Sequence, residues 1–351
     1  MRVECDRRSR LQGAPYRDFS YPPLPGIDPA GGRWTPTPET FVVEELPRYE
    51  FCGEGEHAAL LVEKAGLTTR EVALGVAARL GLPPAAVGYA GMKDKASTAR
   101  QAFTVTGVSS ERARDAFEAQ GCRVLRCTRH RNKLRLGHLA ANRFRLWVEG
   151  VDPVSARRAL ERLAAEGVPN YFGPQRFGAG GDNVSQGLAI LRGGRRASRW
   201  KRDLLVSAVQ AYVFNEVVAR RIEADALSRA LAGDVLRRED SGGLFVCEDP
   251  AADGPRVAAF EVSPTGPLPG RKMVSPRGAV AEAEAAVLRD LGIDLEWFRR
   301  ETGARRPLRF ALRALSVEPG AGGAWLGFTC PAGAFATAVV QEVTGRPGGR
   351  G

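Results

Sequence analysis

Asp94 stands between Lys93 and Lys95 in the run Gly88-Tyr-Ala-Gly-Met-Lys-Asp-Lys-Ala-Ser-Thr-Ala-Arg-Gln101, directly after the small-residue turn Ala90-Gly91. The chain holds six lysines against forty-five arginines, so two of the six beside one acid is a biased arrangement. Nearby ammonium groups favour the ionised form of a carboxyl. An ionised carboxylate suits a nucleophile or a general base better than a general acid. The same residues would also make an ordinary exposed Lys-Asp-Lys turn in which Gly91 supplies an unusual backbone angle. Local chemistry alone does not separate these two readings.

Basic residues gather in two other places. Arg129, Arg131, Lys133, Arg135, Arg143 and Arg145 fall in one stretch with no acid among them. Arg192, Arg195, Arg196, Arg199, Lys201 and Arg202 surround Trp200. A charge run alone is most often a solvated face. Two such clusters near aromatic residues, in a chain of net charge +11, lean toward a polyanion and toward nucleic acid. Charge does not by itself separate RNA, DNA and an anionic membrane surface. Asn142-Arg-Phe144 opens a strand just after the first cluster. If it faces Asp94, Asn142 can hydrogen-bond a carboxylate or a nearby backbone, and Phe144 can stack on a flat ring. The plainer alternative is a strand-edge Asn and a core Phe, and by pattern Phe41 is a core residue too.

Several chemistries are excluded. Gly178-Ala-Gly-Gly181 has neither the βαβ context nor the downstream acid of a dinucleotide fingerprint, and Gly88-x-x-Gly91-x-Lys93 lacks the spacing of a P-loop. The six cysteines form no C-x-x-C pair, and with His57, His130 and His138 they show no metal-ligand spacing. No metal, redox or nucleotide cofactor is therefore expected. No apolar run reaches the length of a membrane span. The first thirty residues have no apolar block of the kind a signal peptide carries. A reducing cytoplasm fits best.

These groups need a frame. A chain of 351 residues is long enough for about two domains. Residues 1–35, rich in Arg, Pro and Gly, read as a loosely ordered basic arm. Phe41–Leu46 and Ala58–Glu63 read as strands. Thr68-x-x-Glu71 is a capping box opening a helix that Gly81 closes. A strand at Phe103–Thr106, a helix from Ser109 or Ser110 to Gln120, and strands at Cys122–Cys127 and Phe144–Val151 follow. Long helices are predicted at about 202–222 and 280–291, with strand-like patterning over Leu308–Val343. Short connections among these elements predict an α+β sandwich, a mainly antiparallel sheet with helices packed on it.

The residues then add up to a family. Seven segments resemble, in order, those of the TruD family of tRNA pseudouridine synthases: Pro38–Glu45, Gly53–His57, Tyr89–Thr98, Arg129–Gly137, Asn142–Phe144, Gly167–Gly178 and Pro331–Thr337. The resemblance implies a pseudouridine-synthase catalytic domain over 36–166 and 306–351, interrupted by an α/β TRUD insertion domain over 167–305. It implies that Asp94 is the catalytic aspartate of an Ala-Gly-x-Lys-Asp motif. It further implies that Phe144 stacks on the target uracil, Asn142 orients the active-site loop, Phe41 walls the pocket, and Lys93 and Arg176 contact the substrate. The implied partner is tRNA, bound by a monomer without cofactor, metal or membrane, with the two basic clusters along the cleft between the domains. Uridine 13 of the D arm is the expected target. The family usually carries a basic residue six positions before the Phe of Pro-Glu-x-Phe, where it pairs with the catalytic Asp. Here Thr35 stands at that position, with Arg33 nearby. That departure keeps open a second reading, a non-catalytic tRNA-binding or RNA-folding protein on the same scaffold.

Overall fold

The computed structural model describes residues 21–194 and 197–345. The first twenty residues of the expected arm, Arg195 and Arg196 of the second basic cluster, and the Gly-Arg end from Arg346 lie outside the described residues. Packing divides the chain into two compact units. One is Ile27–Ala164 joined by the chain from Ala311 onward, and the other is Ala165–Phe310 joined by the residues before Ile27.

Along the first unit run β1 (Phe41–Pro47), β2 (His57–Lys64), α1 (Thr69–Leu80), β3 (Val87–Tyr89) and β4 (Thr98–Thr106). They are followed by α2 (Ser110–Ala119), β5 (Arg123–His130), β6 (Leu139–Glu149) and α3 (Pro153–Glu166). The second unit holds β7 (Val168–Pro169), α4 (Asp182–Leu191), α5 (Arg199–Glu223), β8 (Val235–Arg238), β9 (Leu244–Val246) and α6 (Pro250–Ala258). It continues through β10 (Val262–Leu268), α7 (Gly278–Asp290), β11 (Ala304–Pro307) and β12 (Arg309–Phe310). The chain then returns to the first unit with β13 (Arg313–Gly320), β14 (Gly323–Pro331) and α8 (Ala336–Thr344).

The first unit is built on an eight-stranded sheet in the order β13-β14-β6-β1-β4-β2-β5, with β3 added on β4. Every pairing in it is antiparallel except β1 with β4. Period-two patterning decides what each strand buries. On β1 the buried positions are Phe41, Val43 and Glu45. On β6 they include Asn142, Phe144, Leu146 and Val148, while Arg143 and Arg145 point outward. The register Val43 opposite Phe144, and Phe144 opposite Phe328 on β14, puts the aromatic residues side by side. Helices α1 and α2 lay Val72, Val76 and Phe117 against Leu60 of β2 and Phe103 of β4. Each such fully buried side chain contributes about 1.5–3 kcal/mol, which makes this stretch of sheet a firm platform. α1 starts where the capping box predicts, with Thr68 and Glu71 capping each other, and ends at Gly81 in a left-handed turn of φ 68°.

The second unit pairs β11-β10-β8-β9 into a four-stranded antiparallel sheet and β12 with β7 into a ribbon. Its far boundary lies at Phe310, beyond the predicted 305, because β11 pairs with β10 and β12 pairs with β7. The predicted arm differs as well over its described part. Leu24, Ala30 and Trp34 are buried, Ala30 N–H donates to Val343 O, and Arg33 makes a backbone bridge to Glu149. The strand-like patterning predicted for the C-terminal stretch gives way to a helix at α8. There Val339, Val340 and Val343 share one buried face, so β-branched composition misled where helical spacing did not. Among the described residues no helix is long and apolar enough to cross a membrane.

Candidate active site

The loop between β3 and β4 carries Asp94, and its backbone is tied down almost residue by residue. Gly137 N–H donates to Ala90 O at 2.9 Å. Gln101 Nε2 donates to Gly91 O at 3.3 Å. Lys93 N–H donates to Thr69 Oγ1 at 2.8 Å, and that hydroxyl in turn donates to Gln101 Oε1 at 2.8 Å. The carbonyl of Asp94 accepts from Lys64 Nζ and from Ser97 Oγ, both at 2.9 Å. Buried polar groups without partners would each cost about 1–3 kcal/mol, and this network leaves few. The Asp94 side chain itself is exposed. Among the described residues its carboxylate has no hydrogen-bond partner, so a rigid frame holds a free acid.

The flanking lysine does not serve that acid. Lys93 is 7% exposed, and its Nζ donates to Glu45 Oε2 at 2.9 Å and to Asn142 Oδ1 at 2.7 Å. Glu45 is buried as well and also accepts, through Oε1, from Ala102 N–H at 3.4 Å. Gly91 is required here for space: a Cβ would sit 2.6 Å from Lys93 Nζ and 2.7 Å from Glu45 Oε2. The unusual backbone angle suggested by the sequence is absent, since Gly91 is not among the residues of positive φ.

Beside this cluster Phe144 packs between Phe41, at 6.2 Å and nearly parallel, and Phe328, at 5.7 Å. Trp34 meets the edge of Phe41 at 5.1 Å. Phe144 is 7% exposed. A flat base inserted between two rings needs about 7 Å, twice an optimal carbon–carbon contact, so the Phe41–Phe144 gap does not admit one as it stands.

The first basic cluster is largely engaged. Arg131 pairs with Glu54, Arg143 with Glu44, and Arg145 with Glu318 while lying 4.1 Å over Trp325. Arg129 donates to the carbonyls of Gly55 and Val108. A surface groove of about 490 Å³ opens between α1, β3 and the chain ahead of β6, lined by Arg70, Leu74, Tyr89, Lys133, Arg135 and Leu136 among others. Arg70 and Arg135 are exposed and have no carboxylate partner among the described residues, and Leu136 is 65% exposed.

Of the residues singled out from the sequence, the fold thus brings together the Asp94 loop, Lys93, Asn142, Phe144 and Phe41. Arg176 lies in the second unit, where its Nη1 donates to Ser207 Oγ at 3.3 Å and its guanidinium lies 5.5 Å from the Phe172 ring. Arg33, considered in place of the missing basic residue, is exposed on the surface.

The family model described as tRNA pseudouridine synthase D (TruD) matches residues 25–201 and 198–343. The chain belongs to the TruD family. It is 44% identical over 335 residues to a tRNA pseudouridine synthase D of Anaeromyxobacter dehalogenans, covering 92% of this chain and 94% of that one. It is 40% identical over 337 residues to a tRNA pseudouridine synthase D of Thermus thermophilus, covering 93% of each. A crystal structure of a candidate TruD from Methanosarcina mazei superposes with a TM-score of 0.72 at 22% identity, over 95% of this chain and 97% of that one. That likeness shows the shared α+β fold.

For this TruD chain the sequence reasoning missed Glu45, Lys64, Thr69 and Gln101, which hold the loop from β1, β2, α1 and β4. The signal for two of them was strand phase. Phe41, Val43 and Glu45 alternate on β1, and Leu60, Val62 and Lys64 alternate on β2, so each strand places a charged residue on its buried face.

Proposed function

We propose that this TruD-family chain isomerises a uridine of tRNA to pseudouridine with Asp94 as its catalytic carboxylate. Uridine 13 of the D arm is the expected target. The observation that carries the reading is the exposed Asp94 carboxylate on a loop held from β1, β2, α1, β4 and β6. Catalysis of this kind needs an acid whose position costs nothing to organise when the substrate arrives. In the reaction the N1–C1′ bond breaks, the detached uracil turns, C5 bonds to C1′, the C5 proton leaves to solvent and N1 takes a proton. Asp94 begins either by attacking C1′, the ester bond breaking again as C5 joins C1′, or by removing the C2′ proton and returning it once C5 has joined. The carboxylate freed in either route can then take the C5 proton and pass it to solvent.

The target base must leave its stack to reach Asp94. Phe144 and Phe41 are the flat rings at hand, and stacking on them requires the pair to open. Asn142 orients the loop through Lys93. Lys93 then acts by holding the loop, and a direct contact with substrate would require it to leave Glu45. The groove lined by Arg70, Tyr89, Arg135 and Leu136 suits a phosphate-bearing strand with an unstacked base next to the target.

The test is tritium release from tRNA carrying [5-³H]uridine, comparing wild type with Asp94→Asn. Release by the wild type alone, with no free uracil and with tRNA binding retained by the variant, is the expected result. Release by Asp94→Asn at the wild-type rate would overturn the assignment, and binding without release from either protein would overturn the synthase reading.

A further inference from the structure

Lys64 closes β2 with 1% of its surface exposed. No carboxylate lies within ion-pair distance of its ammonium among the described residues. Its Nζ donates to the carbonyls of Leu67 and Asp94. Burying an ammonium without a paired carboxylate is expensive, and a Met or Leu would fill the same space without that cost. The residue is therefore there for its charge and its donors. The Asp94 carbonyl that it holds is held from the other side by Ser97 Oγ, so the two fix the backbone at the acid itself.

We propose that Lys64 is a positioning residue for the Asp94 chemistry, its ammonium fixing the Asp94 backbone and placing a buried positive charge next to the acid. The proposal rests on the reading of Asp94 as the catalytic carboxylate. Lys93 is committed to Glu45 and Asn142, Lys95 is exposed on the far side of the acid in sequence, and Lys64 reaches the loop from the end of β2.

The groups that act on Lys64 from the surrounding elements set its titration. Burial pulls its pKa down to about 8, the carboxylates of Asp94 and Glu71 and the thiol of Cys122 act against that, and Lys93 acts with it. Above that pH the amine keeps two N–H donors but loses its charge. The sign for stability is opposite. The folded pKa lies below the ordinary lysine value of 10.5, so between about 8 and 10.5 the unfolded chain binds more protons and this group's contribution to stability rises with pH. A fall in rate across that window is then not a fall in foldedness.

The experiment is single-turnover tritium release with enzyme in excess, from pH 6.5 to 9.5, on wild type, Lys64→Met and Asp94→Asn, with tRNA Kd and melting temperature measured alongside. Lys64→Met is expected to lose about 10²-fold in the single-turnover rate, the size of a misplaced catalytic group. Its Kd should stay within a few-fold of wild type and its melting temperature should not fall. The wild type is expected to lose rate as pH rises past about 8 while remaining folded, and Lys64→Met should lack that limb. A Lys64→Met rate within a few-fold of wild type overturns the proposal. A flat wild-type profile overturns it too, even where the variant fails to fold. If Asp94→Asn turns over normally, the parent reading has failed instead.

Discussion

Removing one member of the Glu45–Lys93 pair strands the other charge inside the sheet, where water cannot reach it. Both side chains are nearly inaccessible and their atoms lie 2.9 Å apart. Lys93→Met alone should therefore destabilise the protein by about 3–5 kcal/mol. Replacing both, as Glu45→Leu with Lys93→Met, should recover part of that, because the cost lies in the unpaired charge rather than in the pair. Recovery should stay incomplete, since Asn142 Oδ1 loses its donor as well. Urea denaturation of the two single variants and the double variant checks this, and a double variant as unstable as the sum of the singles would show that the two do not act as a pair. The site was legible at this scale only in part. Asp94 and Asn142 were singled out by the resemblance of their segments to the family, since residue type alone left a surface turn and a strand-edge Asn as equal readings. Glu45 and Lys64 were not, because a Glu and a Lys in a strand read as surface residues unless the alternation is followed through to its phase. Lys93, expected from the resemblance to contact substrate, instead faces inward to Glu45, which the sequence beside the acid does not show.

The first turn of α1 connects the helix to the chemistry. Thr68 caps the helix and the next residue, Thr69, receives the Lys93 N–H, so helix start and the Asp94 loop are tied to one stretch of backbone. Thr68→Ala should lower stability by about 1 kcal/mol, the usual value of a lost N-cap. A thermal melt reads that directly, and an unchanged melting temperature would mean that the cap contributes nothing beyond what water offers. This helix was readable because its start and stop signals are local. α3 carries a start signal of the same kind, Asp152 accepting the Ser155 N–H ahead of Pro153 at the first helical position. α6 is harder, because Gly254-Pro255 falls inside it and reads as a break. Sheet order was not readable at all. Nothing local in β1 says that it pairs parallel with β4 and antiparallel with β6, since that follows from which long-range partners bury the same face.

For the molecule as a whole, charge is less available than its net value of +11 suggests, since much of the first cluster is already paired with acids or carbonyls. Arg70 and Arg135 are the exposed, uncommitted cations at the groove. Arg70→Gln and Arg135→Gln should each raise the tRNA Kd and reduce the slope of log Kd against log salt by about one. Binding titrations over a range of salt concentrations measure both quantities, and an unchanged slope would take the groove out of the RNA footprint. A division of the chain into two units was expected because the family's segments stand in order on both sides of a stretch that resembles an insertion. The boundary beyond residue 305 was not, because the short strands that set it pair only in the folded unit.

The position of β14 has a consequence for how the protein comes into being. It lies beside β6 and puts Phe328 behind Phe144, yet it is made after the whole of the second unit. On the ribosome, Asp94 and its ties to β1, β2, α1 and β6 all emerge early, while one edge of β6 waits unpaired for nearly half the chain. An exposed strand edge of that kind invites wrong partners. Synthesis therefore leaves that edge open in the interval between β6 and β14, and the complete sheet arrives late, as a property of the nearly completed chain.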